Sequence, residues 1–599
     1  MYPPLIGAVR STEGNKFACG FYRLRGGGKR LKINGIRQTA GAGRKQMDIC
    51  FLFLMVGTGI VLLWKCRYGF GNRDEAFYLT VPYRLWQGDA LFSQEWHLSQ
   101  MAGLLLLPFV TAYMEIVGST TGILLAFRRI CTLVWWTGAC VLYFRMRKND
   151  QVGAALAAIL FVLYIPFGIM ALSYNSMGIW NLLMAAVLLQ GKKRKGEWIL
   201  SGILFSAAVL CCPYLAFVYF LYTGVTLVKS LMKKGERDEK EQWFYFSAGI
   251  AGSVLVFLVF ALGRASLQEI IGAVPFIFRD PEHHQKSLWK YLLDYVNCVF
   301  HCTETAPAIY TGMVILILAV LADKKREKHG AVYISVACVL TLMLQISVLI
   351  WKQRLNYLMF PLNLIGAFCY FLMWKNHTLS DLLRNFFVLF WIPGILYSFC
   401  ISMTSNQGFY AVSSASTVAA VGSTIIVVLT VKGMMKQEII QMRDKKILIM
   451  SVILVFLLQL GSEAVLRYQT VFWEDSLREQ NCLITEGPEA GLYVTEGKQR
   501  MYLEILEDLK PLKEAETVLF LSKNTWMYLC GDWRMGSYSA WLSGVNELTM
   551  ERLEGYYRRN PIKMPDMVWA EKKYEPQADW LCARYGYKKK AVKSGFLLF

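Results

Sequence analysis

The chain has 599 residues, of which 55% are hydrophobic and only 18% charged, and its mean hydropathy is +0.36. Soluble globular domains carry about 25% charged residues. The composition therefore excludes an ordinary soluble enzyme and a disordered chain, and 15 Cys in so long a chain exclude a small disulfide-stapled secreted domain. The net charge of +21 is unevenly placed: residues 1–50 hold ten Lys and Arg against Glu13 and Asp48, whereas 467–599 hold 19 basic and 19 acidic side chains. Cations gathered in an N-terminal segment and in short loops between apolar runs mark a membrane protein, so no nucleic-acid partner is expected.

Residues 1–47 read as a basic cytoplasmic segment, disordered in its Gly- and Arg-rich part from 20 to 47. No small-residue cleavage site follows the first apolar run, which reads as an uncleaved anchor. A helix needs about 20 mostly apolar residues to cross a bilayer. Thirteen segments meet that need: 48–66, 123–144, 152–171, 176–190, 197–212, 214–231, 243–262, 306–322, 331–350, 355–374, 383–402, 414–431 and 446–465. A fourteenth run, 101–117, carries Pro108 and Glu115.

Loop charge decides the topology. If 101–117 does not cross, the Lys- and Arg-rich loops at 145–150, 190–197, 229–241, 323–330, 374–384 and 431–446 all share one side with the basic N-terminus. The positive-inside rule makes that side cytoplasmic, and 101–117 is then expected to lie in the outer interface. The outer side holds 67–100, the short loop Ser173-Tyr174-Asn175-Ser176, a loop at 263–305 and the tail 467–599. Loops this long are uncommon without a function.

The fold class expected is a polytopic α-helical membrane protein with a small extracytoplasmic α/β domain. The membrane domain spans 48–466, with its first outer loop region at 67–122, and the tail domain spans 467–599. In the tail, 517–522 and 565–571 read as strands, 524–530 and 576–585 as helices, and 591–599 as a closing strand. That alternation predicts a small, largely parallel sheet.

The first outer loop is dense in polar groups. Asp74 and Glu75 come just after the first apolar run, followed by Tyr78, Pro82, Arg84, Gly88, Asp89, Glu95, Trp96 and His97. Carboxylates held against a low-dielectric surface have raised pKa values, which suits general-base work. The plainer reading is that both acids simply favour a helix start. Asp280-Pro281-Glu282-His283-His284 has metal-ligand residue types, but no third His stands at a useful spacing, and a polar loop is the expected reading. Glu463, at the outer end of the last span, is expected to be solvated.

The order Asp-Glu, Tyr, Gly-Asp, then a Trp-containing segment before an apolar run with Pro resembles the first outer loop of multi-span glycosyltransferases of the C-type fold. The likeness is to the protein O-mannosyltransferase and aminoarabinose transferase superfamily (glycosyltransferase family 39-like). Arg128 and Arg129 near the start of the next span, Gly202 and Pro213 around a paired span, and Arg354, Tyr357 and Pro361 in a late R-Y…P run are similar too. The resemblance covers 48–465 in architecture, and only the first loop is specific at residue level.

The resemblance implies an enzyme of the outer face of the cell membrane that moves a sugar from a polyprenyl-phosphate donor to a glycolipid, cell-wall polymer or protein. Asp74 would be the base, with Glu75 assisting; both would hold a divalent cation where the family uses one, and no other cofactor is implied. Arg84, His97 and Arg354 would contact phosphate, as the planar guanidinium fork suits. Tyr78, Asn175 and Tyr357 would complete the substrate site. Two departures stand out. Where many relatives carry Lys-Pro-Pro this chain reads His97-Leu98-Ser99-Gln100, and Asn175 stands where many carry an acid. The alternatives are a transporter or lipid flippase, which would place charges and helix breaks near the midplane of paired spans, and a non-catalytic scaffold acting through its tail.

Overall fold

An apolar segment crosses lipid alone only by closing its backbone hydrogen bonds within a helix, and among the described residues each of the thirteen apolar segments is helical over most of its length, 152–171 running past the end of its helix at Leu163. The computed structural model describes residues 31–71, 73–190, 194–232, 237–279, 286–352, 357–469, 471, 474, 476–542 and 545–599, with backbone alone at 31–43, 73 and 351–352. It divides into Met1–Leu52 and Phe53–Phe599. Helix α1 is Leu31–Lys65, so it takes in 31–47 of the stretch expected to be disordered, while 20–30 of that stretch lies outside the described residues.

The first long loop holds α2 (Arg73–Trp86) and α3 (Gly103–Val117). Then come α4 (Ile123–Met146), α5 (Gln151–Leu163), α6 (Tyr174–Leu189), α7 (Lys195–Cys211), α8 (Ala216–Leu231) and α9 (Arg237–Leu262). The second long loop carries α10 (Leu267–Ile277) and α11 (Leu288–Phe300). The bundle resumes with α12 (Ala306–Ala322), α13 (Arg326–Lys352) and α14 (Met359–Lys375). A helix from α15 (Asp381–Phe386) through a π-turn to α16 (Ile392–Ser402) follows, then the short α17 (Phe409–Ala415), α18 (Thr417–Lys436) and α19 (Met442–Gln469).

Ten helical stretches among the described residues are long and apolar enough to cross a membrane, and α6, α12 and α14 are shorter apolar helices. Gln100–Val117 is one of the ten, so the interfacial placement of 101–117 rests on loop charge alone. The chain is a multi-pass membrane protein. Its outer helices turn apolar side chains away from the protein, Phe220 and Leu255 among them, as lipid-facing helices do. Helix α18 sits at the centre, enclosed on most of its surface. Small residues set the closest approach: a Cβ on Gly202 of α7 would stand 2.1 Å from the Phe246 carbonyl oxygen, and one on Gly249 of α9 2.1 Å from that of Ile199. Glu463 is corrected: it is buried in the bundle and accepts from Gln459 Nε2 at 2.5 Å, which in turn accepts through Oε1 from Gln345 at 2.6 Å.

The tail begins with a two-stranded ladder, β1 (Cys482–Leu483) with β2 (Tyr493–Val494), and α20 (Glu496–Asp508). A five-stranded sheet follows, made of β3 (Thr517–Leu521), β4 (Arg534–Met535), β5 (Met567–Glu571), β6 (Lys589–Ala591) and β7 (Gly595–Leu598), with α21 (Glu547–Arg559) and α22 (Glu575–Tyr585). The order is β4-β3-β5-β7-β6, and β3 pairs in parallel with β4 and β5. The expected largely parallel sheet is corrected to a mixed one: β7 returns antiparallel on β5 and pairs antiparallel with β6, because the last strand-like run folds as a hairpin. The segment near 524–530 is corrected as well, from a helix to a single 3-10 turn at Thr525–Leu529. One sheet face, with Val518, Phe520, Trp569 and Leu597, packs with this turn and the first long loop. The other, with Leu519, Leu521, Val568 and Leu598, packs on residues of α21, α22 and Trp96.

Candidate active site between the first long loop and the tail

Asp74 and Glu75 stand in the first turn of α2, where negative charge favours the helix dipole. Neighbours on a helix point about 100° apart, and here that angle separates their roles. Glu75 turns inward, 4% exposed, and forms a two-point ion pair with Arg128 of α4 at 2.6 and 2.8 Å. Arg128 also donates to the carbonyls of Cys66 and Tyr68 at 3.0 Å, tying the end of α1 to α2. Gly71 is required there: its φ is +78°, and a Cβ would come within 2.8 Å of the Glu75 carboxylate and 2.9 Å of the Arg128 guanidinium. Burial holds Glu75 above the usual carboxylate range, with Arg128 opposing.

Asp74 turns the other way. It lines a cavity of about 360 Å³ together with Phe77 and Tyr78, three and four residues further along the same helix face. His97 and Asn175 line it too, so four of the eight residues singled out in the sequence meet in one hollow. Burial, with Tyr174 and Asp74 beside it, raises the Tyr78 phenol well above its usual range, so it stays protonated and available as a donor. The backbone N–H of Ser99 donates to His97 Nδ1 at 3.1 Å, and the Ser99 hydroxyl lies 2.8 Å from the same nitrogen. A backbone N–H only donates, so Nδ1 is the unprotonated nitrogen and Nε2 carries the proton in the neutral ring. Ser173 caps α6 by accepting from Ser176 N at 3.0 Å, which sets Tyr174 and Asn175 in the first turn at the cavity edge.

The remaining expected residues sit elsewhere. Arg84 is corrected from a phosphate contact to a buried clasp: it is 0% exposed, meets Asp89 at 2.5 Å and Glu95 at 2.9 Å, and donates to Ser537 O and Tyr556 Oη of the tail at 2.8 and 2.9 Å. Lys563 completes the cluster on Asp89. Burial lowers the Lys563 ammonium and raises Glu95, with their partners opposing both shifts. Trp96 seals the same junction, its ring 5.0 Å from Phe276, 5.8 Å from Tyr538 and 5.2 Å from Tyr556. Tyr357 lies one layer behind the cavity, its ring 5.5 Å from Tyr410, which does line it. Arg354 and the Asp280–His284 motif lie outside the described residues. Asp74 and Glu75 face different sides of α2, the one lining the cavity and the other paired with Arg128; among the described residues no group of three or more His, Cys, Asp or Glu side chains is placed to hold a metal ion.

The sequence reading missed several walls. Phe167 holds a φ of +60°, uncommon for a bulky residue, and its carbonyl accepts from Tyr410 Oη at 2.9 Å. Thr404-Ser405-Asn406-Gln407 supplies a polar rim, and the tail supplies Trp541, whose ring lies 5.7 Å from Phe77. The polar run between two apolar segments was the signal available for the rim; Trp541, in a Ser- and Gly-rich loop far along the chain, carried none.

No protein-family model matches the chain. No curated protein matches it either. Among solved structures it is similar to the crystal structure of ArnT from Cupriavidus metallidurans bound to undecaprenyl phosphate, at 12% identity and a TM-score of 0.34, with 92% of this chain and 97% of that one covered. An overlap this loose transfers neither residues nor chemistry. What the site can do follows from its own groups: a carboxylate, a neutral imidazole with one N–H, a protonated phenol, amides and aromatic walls in a hollow large enough for a ring-sized ligand.

Proposed function

We propose that this protein is a membrane glycosyltransferase of the C-type fold that moves a sugar from a polyprenyl-phosphate donor to an acceptor on the outer face of the membrane. The observation that carries the reading is the convergence of Asp74, Tyr78, His97 and Asn175, from three separate stretches of sequence, on one cavity beside the membrane helices. An isoprenoid donor suits that place, because its tail stays in lipid while its headgroup reaches the hollow.

The reaction is a single displacement. The acceptor O–H gives its proton to the Asp74 carboxylate as its oxygen attacks the anomeric carbon. The bond from that carbon to the phosphate oxygen breaks, and the phosphate leaves with the electron pair, so configuration inverts. Charge growing on the phosphate is met by donors fixed beforehand. His97 Nε2–H and the Tyr78 phenol supply two. Phe167, Tyr174 and Trp541 present apolar faces that hold the sugar and exclude water.

The test uses the purified full chain in lipid nanodiscs with a panel of polyprenyl-phosphate sugars and extracted membrane glycans, reading release of free polyprenyl phosphate by mass spectrometry. Release that needs acceptor supports the reading. No release from any donor in the panel, alongside passage of a lipid-linked sugar across the bilayer of proteoliposomes, replaces it with the flippase.

A further inference from the structure

The tail sheet carries a second crevice, and its topology explains why one forms there. Strands β3 and β5 are parallel neighbours. The chain leaving β3 goes to β4 through the turn Thr525–Leu529, which covers one face of the sheet, whereas the chain leaving β5 goes to β6 through α22, which covers the other. Where connections from adjacent parallel strands part to opposite faces, a gap opens beyond their carboxyl ends, and open α/β sheets bind ligands at such gaps.

A cavity of about 460 Å³ lies at that gap, lined by Asn524 after β3, Glu571 at the end of β5 and Lys572 and Lys573 just beyond, with Lys498 from α20. Glu571 is spoken for: it accepts from the Ser522 hydroxyl, from Asn524 Nδ2 at 3.4 Å and pairs with Lys573. Lys498 stands 5.8 Å over the Phe70 ring, and neither it nor Lys572 makes an ion pair among the described residues. Three lysines against one carboxylate leave the crevice net positive. Its floor is apolar, from Met501, Ile505 and the buried indoles of Trp526 and Trp569. Its volume falls in the range of ring-sized organic ligands rather than of a bare ion.

We propose that this crevice is a binding site for an anionic saccharide, a sugar bearing phosphate or carboxylate, gripped by Lys498 and Lys572 with its ring on the apolar floor. The site is separate from the Asp74 cavity, and its occupancy does not depend on the transfer reaction.

The test titrates glucose 1-phosphate, glucose and inorganic phosphate onto the full chain in neutral phosphatidylcholine nanodiscs, with binding read by saturation-transfer NMR and by competition. Glucose 1-phosphate is expected to bind at least tenfold more tightly than glucose or inorganic phosphate. The Lys498→Gln/Lys572→Gln pair is expected to weaken it at least tenfold, and Asp74→Asn to leave it unchanged. Lys572→Ala alone gives a second reading if the pair does not fold. Equal binding of glucose, equal competition by inorganic phosphate, or full binding by both lysine variants overturns the proposal. Loss of binding when phosphatidylglycerol replaces part of the neutral lipid also overturns it, by assigning the crevice to a lipid headgroup.

Discussion

Arg84 distinguishes a structural clasp from a phosphate contact. Arg84→Met removes a fully buried guanidinium that holds two carboxylates and three further acceptors, among them Gln94 O at 2.6 Å. Asp89 keeps Lys563, whereas Glu95, 0% exposed, loses its ion-pair partner and keeps two neutral donors, the backbone N–H of His97 at 2.9 Å and the Ser539 hydroxyl. Removing one partner from a buried ion pair costs about 3–5 kcal/mol. Most of that loss falls on Glu95, so Glu95→Gln in the same chain should restore roughly half, a coupling of about 2 kcal/mol. Thermal unfolding in detergent, followed by tryptophan fluorescence, should rank wild type above the double variant and the double variant above Arg84→Met. Trypsin should cut between the membrane helices and the tail sooner in the single variant. An unchanged melting temperature in Arg84→Met with loss of donor binding would refute the clasp and restore the phosphate contact.

Glu489 is 0% exposed, and neither carboxylate oxygen finds a hydrogen-bond partner among the described residues; burial raises its pKa well above the usual carboxylate range. A carboxyl whose folded pKa is raised lends stability fully below its unfolded pKa and loses it as pH climbs toward the folded one. Glu489→Gln should therefore raise Tm at pH 8, by about 1–3 kcal/mol of stability, and change little at pH 4; melting curves across pH check this, and a loss at pH 8 contradicts it. Trp541→Ala should raise KM for the sugar donor about tenfold, worth about 1.4 kcal/mol, with a smaller change in kcat. Unchanged steady-state constants would remove Trp541 from the site.

The helices were legible because a span is written in consecutive residues, and composition alone marks it. The acidic pair and Tyr78 were legible for the same reason, being set on one helix at spacings of one and four. What the sequence did not disclose is direction. Asp74 and Glu75 look alike in the chain, and only Arg128, 53 residues on, turns one of them inward. Arg84 sits in a loop rich in cation-seeking chemistry, yet its partners include Ser537 and Tyr556, over 450 residues away. The sheet was read as largely parallel because β7 looks like any apolar strand; the turn at Ala591–Gly595 that reverses it holds no Pro and one Gly.

The division of labour between Asp74 and Glu75 is the centre of the account. Turnover and melting temperature should be measured on the same preparations of Asp74→Asn and Glu75→Gln in nanodiscs. A general base is worth about 10²–10⁴ in rate, so Asp74→Asn should lose turnover by that factor at an unchanged melting temperature, while Glu75→Gln should melt earlier and keep most of its activity when folded. Wild-type turnover in Asp74→Asn would contradict it.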